Sequence, residues 1–149
     1  FELKKFVERY NADLANGLGN LAARVFTLAE KHGDFPADLA ADVSEKIADA
    51  IVAARKGVFA AMEGFRFNDA LTALWQLAAF ADKYVNDRKP WAEKDNRVTL
   101  FNAVVLIDNV AALLLPFLPD TAGKITAGIK WQDGKTLRVQ KIDNLFPRI

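Results

Sequence analysis

Asn16, Asn20 and Arg24 stand four residues apart, the spacing that stacks side chains along one edge of a single helix. An Asn amide offers one acceptor and two donors, and Arg offers a fixed fork of donors, so the trio could read the hydrogen-bonding edge of an unstacked base. Gly17 and Gly19 lie within this ladder, and each costs roughly 1 kcal/mol against Ala in a helix interior. Two readings follow. In one, the glycines admit a neighbouring helix and the asparagines are merely solvated. In the other, the ladder is a recognition edge with something packed close beside it.

Trp91 is the second candidate. It follows directly on Pro90 and has Arg88, Lys89 and Lys94 around it, so it is either a plug in the core or a stacking plate flanked by cations. His32, the single histidine, precedes Gly33; beside a helix C-terminus it reads as a partner of the helix dipole rather than a catalyst. No set of nucleophile, base and orienter is apparent, and the glycines lack phosphate-loop spacing. The absence of cysteine removes disulfides and thiolate metal sites, and no metal-binding or catalytic residues are assigned.

Composition bounds the rest. A chain of 149 residues, 52% hydrophobic and 26% charged, fits one soluble domain over 1–149 with a core of its own. A net charge of +1 provides no broad basic field, so binding to RNA would rest on local geometry and DNA is not implied. Charge is nevertheless uneven: Asp34 to Asp49 carries five acids and one base, whereas Lys130 to Ile149 carries five bases and two acids. An RNA backbone would avoid the first stretch and tolerate the second. Charged residues interrupt any apolar run at the start, and the chain begins at Phe1 rather than Met, the expectation for a fragment of something longer without a signal peptide. Leu100 to Pro119 is long enough to suggest a membrane span but contains Asp108, which is costly at a bilayer centre; it reads as a buried core helix.

These residues need a scaffold. Phe6, Tyr10, Leu14, Leu21, Val25 and Leu28 recur at helical spacing and predict a first helix over about 2–31, ended by Gly33. A second helix is expected from Pro36 to about Met62, with Leu39, Val43, Ile47, Ile51, Val58 and Phe59 inward and Asp38, Asp42, Glu45 and Asp49 outward. A third, about 69–85, stops before Pro90. A fourth, about 95–115, is the most apolar, and Pro116 ends it. A short fifth helix follows the bend. Beyond Gly128 the pattern turns extended around Asp133-Gly134, a tight-turn signal. The fold expected is all-α: an antiparallel bundle of about five helices over 1–128, with a short extended tail over 129–149.

Four segments carry a family resemblance. Asn11 to Arg24 fits N-x-D-L-A-N-x-L-G-N-L-x-x-R, Tyr84 to Trp91 fits Y-[IV]-x-x-x-x-P-W, the Leu115 to Ile125 segment fits P-F-[ML]-P-x-T-A-x-K-I from Pro116 onward, and the chain ends Leu145-Phe146-Pro147-Arg148-Ile149. Together they resemble the anticodon-binding domain of methionyl-tRNA synthetase, a class I aminoacyl-tRNA synthetase. The resemblance implies that Asn20, Arg24 and Trp91 read the anticodon, with Asn16 one turn earlier as a secondary contact. It also implies a cytoplasmic enzyme that joins methionine to tRNA using ATP. The H-I-G-H-like and K-M-S-K-S-like motifs of that chemistry are missing from this chain, so the implied partners are the anticodon loop of methionine tRNA and the catalytic domain of the parent, and no cofactor is expected here. Leu118, Gly123 and the short link after Trp91 depart mildly from the pattern. Two alternatives stay open: the equivalent domain of a related synthetase for leucine, isoleucine, valine or cysteine, and a helical protein-interaction module that has lost RNA reading.

Overall fold

The computed structural model describes residues 17–36, 39, 44–132 and 136–142. Among these residues lie five α-helices and three short strands: α1 (Asn20–Glu30), β1 (Asp34–Pro36), α2 (Glu45–Glu63), α3 (Phe67–Arg88), α4 (Arg97–Leu114), α5 (Pro119–Ala127), β2 (Ile129–Gln132) and β3 (Thr136–Val139). Asn16, the first half of the expected first helix, the acids Asp38 and Asp42, and the Leu145–Ile149 ending all lie outside the described residues.

Helix α4 is apolar on nearly every side, and this places it at the centre. Leu100, Phe101, Val104, Leu106, Ile107, Val110 and Leu114 are all buried, and α1, α2, α3 and α5 pack around it. A fully buried Leu, Phe or Val contributes about 1.5 to 3 kcal/mol, so this helix anchors the bundle. It is long and apolar enough to cross a membrane by composition alone; here those apolar residues are the core. The buried polar Asn102 is partly satisfied: its Nδ2 donates to the Tyr84 hydroxyl at 3.1 Å, while its Oδ1 has no partner among the described residues, a cost set against the apolar burial around it.

The expected helical bundle is present, with three differences. First, residues 17–19 form a wider π-helical turn before regular α-helix begins at Asn20, a break that the low helix propensity of Gly17 and Gly19 favours. Second, Asp34-Phe35-Pro36 does not open a helix. It is a strand that pairs antiparallel with β3, Phe35 opposite Leu137, and β3 in turn pairs with β2. Phe35 and Leu137 are buried, and Arg138 Nε donates to Asp34 Oδ1 at 2.7 Å. Long-range pairing of this kind leaves no local periodicity to detect. Helix α2 instead starts at Glu45, where the Ser44 hydroxyl accepts from the Ile47 N–H at 3.3 Å as an N-cap.

Third, Phe59, expected in the core, faces solvent with 61% exposure, one helical step away from the buried Val58. The predicted left-handed position at Gly33 is present, with φ of +71°, and lets the chain turn from α1 into β1. Gly128 is needed for a different reason, since a Cβ there would lie 2.6 Å from Ile142 Cγ2 and 2.9 Å from the Gln140 carbonyl. A glycine there lets the segment that follows β3 pass close to the junction of α5 and β2.

Candidate nucleic-acid interface

Helix α1 buries Leu21, Ala22, Val25, Phe26 and Ala29 and leaves Asn20 and Arg24 on its exposed edge. That division follows from the spacing: the apolar stripe takes the core, and positions 20 and 24 fall beside it, one turn apart. The C-terminal half of α3 lies alongside. Arg24 Nη2 stands 3.7 Å from Asp82 Oδ1 and 3.4 Å from Asn86 Oδ1, and the Asn86 amide donates to Asp82 Oδ2 at 3.1 Å. Asp82 and Asn86, one turn apart on α3, thus pre-orient the guanidinium.

Trp91 arrives by a different route. Helix α3 ends at Lys89 in a left-handed conformation, φ 51°, and Pro90 redirects the chain so that the next side chain crosses towards α1. Its ring centroid lies 5.3 Å from Arg24 Cζ, within cation–π range, and the indole is 49% exposed. Of the two readings of Trp91, the core plug is therefore excluded by its exposure.

Arg24 separates two shallow clefts. One, about 410 Å³, is lined by Asn20, Ala23, Arg24, Asp82 and Asn86. The other, about 440 Å³, is lined by Ala23, Arg24, Thr27, Leu28 and Trp91. The first presents hydrogen-bonding groups and the second an aromatic face with small apolar walls, so one guanidinium borders both an edge-reading and a stacking environment. Three of the four residues singled out from the sequence, Asn20, Arg24 and Trp91, stand on this surface, and Asn16 lies outside the described residues.

Sequence reasoning missed Asp82, Asn86 and the real partner of His32. The first two had a signal: they repeat at helical spacing just before the Pro-Trp pair. His32 is bound to Asn96, with Nε2 2.6 Å from Oδ1, in addition to its place after α1. Next to it, hydrogen bonds and charge from Arg97 hold the Asp95 carboxyl below its ordinary range, so an anion borders this loop.

The family model described as the anticodon-binding domain of tRNA ligases matches residues 45–143, and the chain belongs to that family. The matched segment contains Asp82, Asn86 and Trp91 but not Asn20 or Arg24. Within the family, the chain is similar over its full length to methionine–tRNA ligases: 31% identical over 163 residues to that of Bacillus anthracis, and 30% identical over 161 residues to that of Bacillus cereus. It spans 29% of the length of each. The fold matches the apo form of Mycobacterium tuberculosis methionyl-tRNA synthetase with a TM-score of 0.84 at 24% identity, covering 100% of this chain and 35% of that one. A structure of the Mycobacterium tuberculosis enzyme in complex with methionyl-adenylate matches with a TM-score of 0.75 at 25% identity, covering 99% of this chain and 34% of that one.

Proposed function

We propose that this chain is the anticodon-reading module of a methionine–tRNA ligase. Asn20 and Arg24 read the edge of one anticodon base and Trp91 stacks on a splayed base; Asn16, four residues before Asn20 in the sequence, is a secondary contact. The observation that carries this reading is the placement of Arg24, 5.3 Å from the Trp91 ring and bordering the polar cleft of Asn20 and Asn86. Stacking and edge reading by one contiguous surface is how single-stranded RNA is recognised. Activation of methionine by ATP belongs in this reading to a catalytic domain elsewhere in a parent enzyme, so this chain holds no cofactor and catalyses nothing alone. A cytoplasmic place in translation goes with it.

The base read is the wobble cytosine of the methionine anticodon. Its edge has one amino donor and two acceptors: the Asn20 carbonyl oxygen accepts from the amino group and Arg24 donates to the ring acceptors. Uracil reverses two of those three sites. Its substitution costs at least one charge-assisted hydrogen bond, about 1.5 to 3 kcal/mol. Titration with anticodon stem–loops carrying cytosine or uracil at that position, at matched salt, tests the reading. Saturable, salt-dependent binding that favours cytosine supports it; equal binding of the two, or none, overturns it.

A further inference from the structure

Trp91 projects from a tight turn at the end of α3 in which Pro90 is buried. The residue before Pro90, Lys89, is left-handed at φ 51°, a conformation that a non-glycine residue keeps only when its surroundings enforce it. Two backbone bonds close the turn, from the Ala92 and Glu93 N–H groups to the Lys89 carbonyl at 2.9 and 3.1 Å. They make Pro90 and Trp91 the central residues of the turn, and a further contact grips the peptide between them. The Pro90 carbonyl is held by a side chain: Asn96 Nδ2 donates to it at 2.7 Å.

Asn96 occupies the N-cap of α4, and Asn is among the strongest N-cap residues. Yet its side chain makes no bond to that helix. It turns back instead and bridges two partners outside it. A carbonyl can only accept, so the Asn96 nitrogen must face Pro90; its oxygen therefore faces His32 Nε2, 2.6 Å away, and the imidazole proton must sit on Nε2. The His32 ring is fixed in turn: it tilts against Phe35 at 5.5 Å, and Phe35 packs on Phe101 at 6.4 Å. Phe35 and Phe101 are each 1% exposed. A chain of contacts runs from the centre of the bundle through Phe35, His32 and Asn96 to the peptide that carries Trp91.

We propose that Asn96, oriented by His32, is a positioning residue for RNA stacking: its amide sets the Pro90–Trp91 turn so that the indole stands beside Arg24. The inference rests on the anticodon-reading function proposed above. It requires an amide specifically, one acceptor for His32 and one donor for Pro90. Asn96→Asp keeps the size and the acceptor but loses the donor, and Asn96→Ala loses both. His32→Gln places an amide donor where Nε2 stood, while His32→Leu removes it.

Two measurements on this chain test the proposal, one without RNA. With 5-fluorotryptophan incorporated and the Trp91 resonance assigned by Trp91→Phe, Asn96→Asp and His32→Leu are expected to shift or broaden that resonance while leaving Trp75 and Trp131 in place; His32→Gln is expected to restore it. An unmoved Trp91 resonance in Asn96→Asp overturns the proposal, whatever the RNA does. In anticodon stem–loop titrations, Asn96→Asp and Asn96→Ala are expected to bind about 2- to 10-fold more weakly, the loss of one neutral hydrogen bond, with the preference for cytosine intact. On a Trp91→Ala background the Asn96 substitutions are expected to have no further effect, since coupled residues are not additive. Full additivity there overturns the proposal by showing that Asn96 acts elsewhere. If the unaltered chain binds no stem–loop, the proposed function fails and so does the stacking role; the resonance then reports only on the turn.

Discussion

Helix α4 and the outer edge of α1 lie a few side chains apart and obey opposite rules. On α4 the apolar residues interlock at the centre, and the buried Asn102 reaches the Tyr84 hydroxyl on α3 at 3.1 Å. On the α1 edge Arg24 keeps 43% of its side chain exposed, and its contacts to Asp82 and Asn86 are long, at 3.7 and 3.4 Å. Buried contacts exclude alternatives, whereas loose polar contacts can be exchanged for those of an incoming ligand. Under the proposed function, stability and recognition are thus carried by different faces of the same bundle. Substitutions in the two should therefore have separable consequences.

The strongest effect is expected at the centre. Phe101 is 1% exposed and meets the rings of Phe35 and Trp131 at 6.4 and 6.2 Å. Phe101→Ala should reduce unfolding stability by about 3 to 5 kcal/mol through lost burial and a residual cavity, read from urea denaturation. Anticodon binding by the molecules that remain folded should change much less. A binding loss as large as the stability loss would erase the division between the two faces.

On the edge the pattern inverts. Arg24→Ala should leave stability within about 0.5 kcal/mol, as for most surface substitutions, and weaken stem–loop binding by about 1.5 to 3 kcal/mol, the value of a charge-assisted hydrogen bond. It should also compress the difference between cytosine and uracil, because a mismatch no longer leaves a donor unpaired. Trp91→Ala should weaken every anticodon variant by about 1 to 3 kcal/mol and preserve their ranking, since every base has a face to stack. Titrations of both variants against both stem–loops at one salt concentration separate the roles. Loss of discrimination in Trp91→Ala but not in Arg24→Ala would reverse them.

How much of the molecule is legible in its sequence depends on whether the signal is local. The strongly apolar character of α4, the stop before Pro90 and the helical spacing of Asn20 and Arg24 are legible in the sequence, and the structure has them. The strand Asp34–Pro36 is not legible, because its partner is Arg138 in β3 across the chain and Pro36 at a strand end is indistinguishable locally from Pro in a first helical turn. The bond from His32 to Asn96 is hidden for the same reason. An Asn before a helix reads as its cap, and only the tertiary structure shows the side chain facing the other way.

A smaller effect concerns the one acid on α4. Asp108 is half-buried, and desolvation raises its carboxyl above the ordinary value of 3.8. A carboxyl raised on folding contributes stability that is fully present below its unfolded value and is lost as pH rises through the folded one. At neutral pH the ionised group therefore opposes folding. Asp108→Asn should raise Tm at pH 7, and the gain should fade as pH drops towards the unfolded value of about 3.9. A gain that persisted unchanged at pH 3.5 would trace to packing instead of charge. Because Asp108 lies on α4 and not on the α1 edge, stem–loop affinity at neutral pH should not follow.

The smallest effect expected is also the finest test of the comparison, because Asp82 serves the loose face by holding Arg24 in waiting. Its carboxylate is 47% exposed and 3.7 Å from the guanidinium, and pairs of this kind contribute about 0.2 to 1 kcal/mol. An RNA base taking the Arg24 fork must displace that contact and approach a negative charge. Asp82→Asn keeps an acceptor for the Asn86 amide, now 3.1 Å from Asp82 Oδ2, so chiefly the charge is removed. The variant should bind every stem–loop more tightly by up to about 1 kcal/mol at low salt, with the gain shrinking as salt screens the charge. The cytosine preference should stay put, since Asn20 and Arg24 are untouched. Weaker binding in Asp82→Asn would mean that orienting the guanidinium matters more than freeing it, and the contact between α1 and α3 would then belong with the tight face of the molecule.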